Sequence, residues 1–537
     1  MDLFPLPKAR GTQSAVIKAI ENAYKDGYKN VIVEAPVGSG KSAIAITLAK
    51  SFGAAHILTP RKSLQDQYGD DFQKEDVALM KGRSGYPCTF NSSENPEYKK
   101  VIRLINEQKP LSSELISSPY SCATGPCISS RGAYKGCVGL NPDGTVENPC
   151  PYSVAGEVAQ RSKIVVHNFH SFIYQTKFGD KFHQRPLLII DEAHEIEGIC
   201  RGFSERKIVL PLRKNEIELP TGYTLLEEWA DWFLKYGELF SEVVSATADV
   251  SEREEFLNAL QSLIDFSELF GEDFVTDIQE IEAGKEKHTR FVFTPVKVGA
   301  TANSLLFNYG ERRLLLSGTV YSKSTFCKNI GLNDSETLFI QIPSSFPVEN
   351  RPIYCRSDLQ VDTSFAKWDE NFKEMTSIMK SIMTTFDDVK GIIHTPSYNA
   401  SLQIYNALKD TGRIMWHTKD DLSVQLQRFY DSTEPKVFLS PSCYQGVDFK
   451  EDRARFQIIV RVPNPSTQDA FIDYQRQSNF PWYNYQALIT FGQQIGRVVR
   501  SETDEGSTIL LDSRFHSFLS RNRGSLPKWL RDSIIYK

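Results

Sequence analysis

The chain has 537 residues, 40% of them hydrophobic and 24% charged, with a net charge of −5 at neutral pH. That length exceeds what one hydrophobic core serves and implies three or four domains. The acidic balance argues against a protein that coats nucleic acid by bulk electrostatics, but not against one that tracks a strand through a locally basic groove.

The opening, MDLFPLPKAR, has no signal-peptide core, and no apolar run is long enough to span a bilayer. A cytoplasmic protein without membrane contact is expected. The first chemical signal is KNVIVEAPVGSGKSAIAITLAKS, where a β-branched run (Val31 to Val33) leads through a glycine-bearing loop into a helical pattern. Ala35, Pro36, Val37, Gly38, Ser39 and Gly40 form the candidate phosphate loop. Backbone N–H groups from Gly38 to Lys41 can surround a β-phosphate at a helix N-terminus. Lys41 then places its charge on the β- and γ-phosphates, and the Ser42 hydroxyl can ligate Mg²⁺. The expected ligands are ATP and Mg²⁺. Ala35 stands where this pattern usually opens with glycine.

Next comes a cysteine-rich stretch. Cys88, closing the phrase KGRSGYPC, and Cys122, Cys127, Cys137 and Cys150 fall within 63 residues, five of the nine cysteines in the chain. Without an export signal this reads as a metal site rather than disulfides. The long, irregular spacings suit cysteine-only iron–sulfur ligation better than paired Cys-x2-Cys zinc ribbons, zinc being the alternative. The segment carries six acidic and six basic residues and at most one helix, around Glu97 to Glu107. A bound cluster would substitute for the core it lacks.

PLLIIDEAHE follows. The unbroken apolar run Leu187 to Ile190 predicts a buried parallel strand that delivers Asp191 and Glu192 to its C-terminal end, where open α/β sheets bind ligands. Asp191 is the candidate Mg²⁺ partner and Glu192 the residue that orients the attacking water. Beyond it, Leu225, Trp229, Trp232, Phe233 and Tyr236 fall on a helical stripe, and a capping box at Ser251 and Glu254 opens a second helix. From Thr224 to Glu282 there are sixteen acidic residues and two basic ones, so these aromatics read as bundle core rather than base-stacking platforms.

A second α/β pattern closes the chain, in KGIIHTPSY, KVFLSPSCYQGVDF and FQIIVRVPNP. In GQQIGRVVR, Gln493, Arg497 and Arg500 sit at i, i+4 and i+7, which predicts one shared helical face. Two parallel-sheet lobes with ATP at their junction are expected, Arg497 and Arg500 reaching the γ-phosphate from the second.

In this order the motifs resemble the iron–sulfur helicases of the XPD/DinG type, in helicase superfamily two. Arg10 and Gln13 form an R-x-x-Q pair. EAPVGSGKS is similar to motif I, TPRKSLQDQY (Thr59 to Tyr68) to motif Ia, DEAH to motif II and LLSGTV (Ser317, Gly318, Thr319) to motif III. SSFPVENRP follows, IIHTPSY is similar to motif IV, YQGVDF (Gly446, Asp448) to motif V, and QQIGRVVR with LLDSRF (Asp512, Arg514) to motif VI and its tail. Gln445 stands where the family usually has Glu, and SGTVYSKS lacks the usual proline after motif III.

The resemblance implies two RecA-like lobes, with an iron–sulfur insert and a small helical Arch insert growing from the first. The expected boundaries are 1–86, 156–200 and 293–325 for lobe one, 87–155 for the cluster insert, 201–292 for the Arch and 326–537 for lobe two. It implies Gln13 and Asp448 as further nucleotide contacts. It also implies a 4Fe-4S cluster held by Cys88, Cys150 and two of Cys122, Cys127 and Cys137. The implied activity is an ATP-dependent DNA helicase, monomeric, moving 5′ to 3′ on single strands and binding forks. The rivals are a nucleic-acid-stimulated ATPase that does not unwind processively and an RNA-directed helicase. His167 and His170 read as packing residues, Cys200, Cys327, Cys355 and Cys443 as buried thiols, and Trp482 as a core aromatic or a base-stacking one.

Overall fold

The computed structural model describes residues 3–36, 38–72, 74–86, 122, 150–210, 228, 229, 231, 232, 235, 274–283, 286–447 and 449–536. Cys88, Cys127, Cys137, Val37 and Asp448, the helix expected near residues 97–107 and most of both expected Arch helices lie outside them.

In chain order the first ten strands are β1 (Asn30–Glu34), β2 (Ala55–Thr59), β3 (Val77–Met80), β4 (Ile164–Asn168), β5 (Arg185–Asp191), β6 (Arg206–Leu210), β7 (Phe274–Ala283), β8 (Glu286–Pro295), β9 (Gly310–Ser317) and β10 (Thr337–Gln341). Seven of them form a parallel sheet in the order β10-β1-β9-β5-β2-β4-β3. Every residue of β1 and β2 is buried, as strands covered on both faces require. The predicted DEAH strand is β5, flanked by β9 and β2. Because β10 pairs with β1, lobe one runs past the boundary expected at 325. The apolar run LFI completes the sheet edge beside the phosphate loop.

The second sheet is also parallel. It comprises β11 (Ile353–Tyr354), β12 (Gly391–His394), β13 (Ile414–Trp416), β14 (Val437–Ser440), β15 (Phe456–Ile459), β16 (Ser507–Leu510) and β17 (Ile534–Ile535), ordered β13-β14-β12-β15-β16-β11-β17. Thus β12, β14 and β15 are the three strands predicted from the apolar phrases of lobe two.

The insertion between the DEAH strand and motif III departs from the all-helical expectation. There β6, β8 and β7 form an antiparallel sheet. FVTDIQEIEA and EKHTRFVFTP form its longest pair, in register from Phe274↔Pro295 to Ala283↔Glu286, and β8 extends past residue 292. Trp229 and Trp232 are buried against it, their rings 5.8 and 5.4 Å from Phe291. For these two residues the core reading of the aromatics holds.

Seven helices matter for the site: α1 (Gly11–Lys25), α2 (Lys41–Ser51), α3 (Lys62–Asp71), α4 (Pro151–Arg161), α5 (Ile196–Ser204), α6 (Ala470–Ser478) and α7 (Phe480–Ile495). One buried apolar cluster joins both lobes, taking Ile32, Leu58 and Leu188 from the first sheet, Ile459 and Leu510 from the second, and Leu488 and Phe491 from α7 between them. The predicted helical face of Gln493, Arg497 and Arg500 forms only in part. α7 stops at Ile495 with Gly496 as its cap, so Arg497, still bonded to Gln493, lies in the turn that follows and Arg500 beyond it. Glycine continues a helix poorly.

Candidate active site

The phosphate loop joins the C-terminal end of β1 to the N-terminus of α2. Gly38 (φ 77°) and Gly40 (φ 79°) are left-handed, a conformation that favours glycine. A Cβ on Gly40 would overlap the Gln13 amide. That amide donates to Ser39 O at 3.1 Å and accepts from Arg10 N at 2.9 Å, while the Arg10 guanidinium donates to Gly38 O at 2.9 Å. The R-x-x-Q pair at the start of α1 therefore braces the loop from outside. Lys41 Nζ donates to Ala35 O at 3.4 Å, keeping its charge over the cradle.

Asp191 is buried, and its Oδ2 accepts from the Tyr68 hydroxyl at 3.1 Å. The Ser42 hydroxyl also acts on Tyr68, on α3, so the two expected Mg²⁺ partners share one neighbour. Burial, reinforced by the Glu192 charge, raises the Asp191 pKa to about 6. A buried carboxylate whose ionised form is destabilised by burial, beside a hydroxyl, is a donor set that a divalent cation fits.

Glu192 takes a left-handed backbone (φ 53°), costing about 1 kcal/mol, and its N–H donates to Asp191 Oδ1 at 2.9 Å. Burial pushes its carboxyl up, but the cations around it, Lys41 first and then Arg497 and Arg61, outweigh burial and hold it below the usual range. Glu192 is therefore ionised near neutral pH. Burial keeps His194 neutral despite Glu192 and Glu195.

From His194, in contact with Glu192, a hydrogen-bonded chain crosses between the lobes. His194 Nδ1 lies 3.4 Å from Glu192 Oε2 and 3.0 Å from Ser317 Oγ. Ser317 Oγ accepts from Thr319 N at 3.1 Å, and the Thr319 hydroxyl accepts from Gln493 Nε2 at 2.9 Å. Gln493 Oε1 accepts from Arg497 at 3.0 Å, and Arg497 also donates to Val447 O at 2.9 Å. Motifs II, III, V and VI are thus joined through side chains. The Arg500 guanidinium donates to Gly496 O at 3.2 Å, and Arg497 is among the charges that hold Glu192 ionised.

Around this centre, Arg61 bonds Glu195 at 3.4 Å, and a Cβ on Gly446 of motif V would lie 3.4 Å from its guanidinium. Glu197, two residues past the DEAHE stretch, is buried on α5. It accepts from Trp482 Nε1 at 2.6 Å, Gln486 Nε2 at 3.0 Å and Arg201 at 2.6 Å. Trp482 is 6% exposed, which removes the base-stacking reading. His167 pairs with His56 at 3.2 Å in the core, and Cys200, Cys327, Cys355 and Cys443 are buried thiols.

Of the expected cluster ligands, Cys122 and Cys150 are described. Both are buried in one small group with Tyr86, two residues before Cys88 in sequence. Cys122 N donates to Tyr86 O at 2.8 Å, and Cys150 caps α4. Two cysteines 28 positions apart thus converge beside the end of KGRSGY, as a shared ligand set requires. Among the described residues no group of three metal-ligating side chains is gathered.

Sequence reasoning gave no role to Tyr68 or Glu197. The three-residue step from Gln65 to Tyr68 was the available signal. It turns both inward under the sheet, where Gln65 donates to Val166 O at 2.8 Å.

The model of a helicase C-terminal domain matches residues 382–533, and that of the type III restriction enzyme res subunit matches 7–208. Among curated proteins, the chain is 21% identical to "ATP-dependent DNA helicase YoaA" of Haemophilus influenzae over 97% of its own length and 93% of that relative's. It is 26% identical to a "Regulator of telomere elongation helicase 1 homolog" of Caenorhabditis elegans, over 42% of this chain and 27% of that one. The solved structure "XPD_Helicase" is similar over 99% of this chain and all of its own, with a TM-score of 0.61 at 16% identity. "Structure of S. tokodaii Xpd4" follows with a TM-score of 0.57 at 15% identity, over 98% of this chain.

Proposed function

Because this chain belongs to the XPD/DinG-type helicases of superfamily two and hydrolyses ATP, we propose that it moves 5′ to 3′ along single-stranded DNA and parts duplex at a wedge built on an iron–sulfur insert. The observation that carries this reading is the hydrogen-bonded chain from His194, whose ring lies 3.4 Å from the Glu192 carboxylate, through Ser317, Thr319 and Gln493 to Arg497. It ties the hydrolytic carboxylate of one lobe to the arginine of the other. A motor needs such a tie, because hydrolysis must alter how the lobes sit on the strand.

In this reading Lys41 and the loop N–H groups hold the β- and γ-phosphates, and Ser42 and Asp191 hold Mg²⁺, which when bound neutralises phosphate charge. Ionised Glu192 orients water, neutral His194 passes its position to motif III, and Arg497 meets the transition-state charge. Cys88, Cys150 and two of Cys122, Cys127 and Cys137 would hold a 4Fe-4S cluster, whose thiolate bonds tie the insert together. The burial of Cys122 with Cys150 supports that assignment. Strand displacement on duplexes with 5′ or 3′ tails of DNA or RNA tests the proposal. Displacement from 5′ DNA tails is expected. Displacement only from 3′ tails reverses the polarity, and a preference for RNA tails replaces the substrate.

A further inference from the structure

Four unusual features meet just after motif III, where the family's proline is missing. Tyr321 is left-handed (φ 57°) although it is not glycine, a conformation that persists only when its surroundings enforce it. Glu34, at the end of β1, is a fully buried carboxylate. Its Oε2 accepts from Val320 N at 2.9 Å and from Tyr321 N, and its Oε1 accepts from Gln341 Nε2 at 2.8 Å. Gly492 lies inside α7, where glycine weakens a helix. A Cβ there would overlap the Tyr321 hydroxyl and come within 2.8 Å of the Thr319 methyl. Finally, that hydroxyl is buried without a hydrogen-bond partner, so it contributes shape rather than polarity.

These features share one geometric consequence. The carboxylate fixes the Val320–Tyr321 turn, the turn presses the Tyr321 ring onto the bare backbone of Gly492, and the Tyr485 hydroxyl donates to Val320 O at 2.8 Å from two turns of α7 earlier. The residue after Gly492 is Gln493, which bonds Thr319 and Arg497. We propose that Glu34 and Tyr321 are positioning residues for ATP hydrolysis: Glu34 sets the turn, and Tyr321 docks on Gly492 so that Gln493 and Arg497 are held against the Glu192 side of the site. The inference rests on the hydrolytic roles given to Glu192 and Arg497.

Gly492→Ala and Tyr321→Phe, singly and together, test it in the full chain, with kcat and KM for ATP measured on saturating single-stranded DNA and folding followed by thermal melting. Gly492→Ala is expected to lower kcat at least about tenfold with KM within about threefold, since a displaced arginine weakens the transition state more than ATP binding. Adding Tyr321→Phe, which removes the overlapping oxygen, recovers at least about threefold. Glu34→Ala lowers kcat in the same way. Glu34→Gln, whose amide oxygen can still accept from the turn, recovers most of it. Parental kcat in Gly492→Ala, or equal loss in single and double variants, overturns the proposal. Should Gly492→Ala fail to fold, Tyr321→Ala carries the test by opening space instead, and unchanged kcat there overturns it equally. An inactive parent chain sinks the hydrolytic roles and this inference together, whereas an active parent with an unaffected Gly492→Ala sinks the inference alone.

Discussion

The Tyr68 hydroxyl donates to Asp191 Oδ2 at 3.1 Å across the gap between α3 and β5, and both groups are buried. Motif Ia, whose end supplies Tyr68, therefore reaches the carboxylate proposed to hold Mg²⁺ directly. Tyr68→Phe removes a hydrogen bond to a charged group, worth about 1.5–3 kcal/mol. The Mg²⁺ concentration for half-maximal ATP turnover is expected to rise about tenfold or more, with single-strand affinity unchanged. A magnesium titration of the variant checks this.

Asp191 has a raised pKa, so between its unfolded value near 3.8 and about 6 the folded state binds the extra proton. Stability attributable to this group falls as pH rises through that window and then stays low. In magnesium-free protein Asp191→Asn is expected to raise the unfolding midpoint at pH 7, the full effect being on the order of 2–3 kcal/mol. Denaturant melts at pH 5 and 7 with a chelator measure it.

His56 and His167 are both held neutral, His56 at about 3, chiefly by burial. Their folded pKa values lie below the unfolded 6.5, so the stability they carry is complete above pH 6.5 and lost as pH falls below it. Each contributes about 1.4 kcal/mol per pH unit in that range. His56→Gln is expected to flatten the dependence of the unfolding midpoint between pH 6.5 and 5.

Glu197 binds two donors from α7 and the Arg201 guanidinium. Glu197→Ala leaves that charge buried and is expected to cost about 3–5 kcal/mol. Trp482→Phe forfeits one hydrogen bond, about 1–3 kcal/mol, without weakening single-strand binding, because the indole is buried. Melting together with fluorescence anisotropy on a labelled oligonucleotide separates the two effects.

Local pattern made much of this legible. The strand–loop–helix around Lys41 and the apolar run ending at Asp191 place themselves, because parallel strands buried on both faces have an unmistakable composition. Contacts made by strand order do not. Tyr68 meets Asp191 only because β2 and β5 are neighbours, a pairing between segments more than a hundred residues apart. The Arg497 and Arg500 face formed only in part for a local reason, since Gly496 ends the helix. The strands of this sheet were hidden because FVTDIQEIEA lacks a clean period of two, its Val275, Ile278 and Ile281 standing three apart as on a helix. Glu34 has no local signal, since nothing in its neighbourhood announces a donor 286 residues away.

The central claim is that ATP hydrolysis in one lobe depends on Arg497 of the other, joined by the chain from His194 to Gln493. The most direct measurement is ATP turnover by Arg497→Ala, with and without single-stranded DNA, alongside its ATP affinity. The account predicts that turnover falls on the order of 10³-fold, DNA stimulation is lost, and ATP still binds. Turnover and stimulation at the parental level would contradict it.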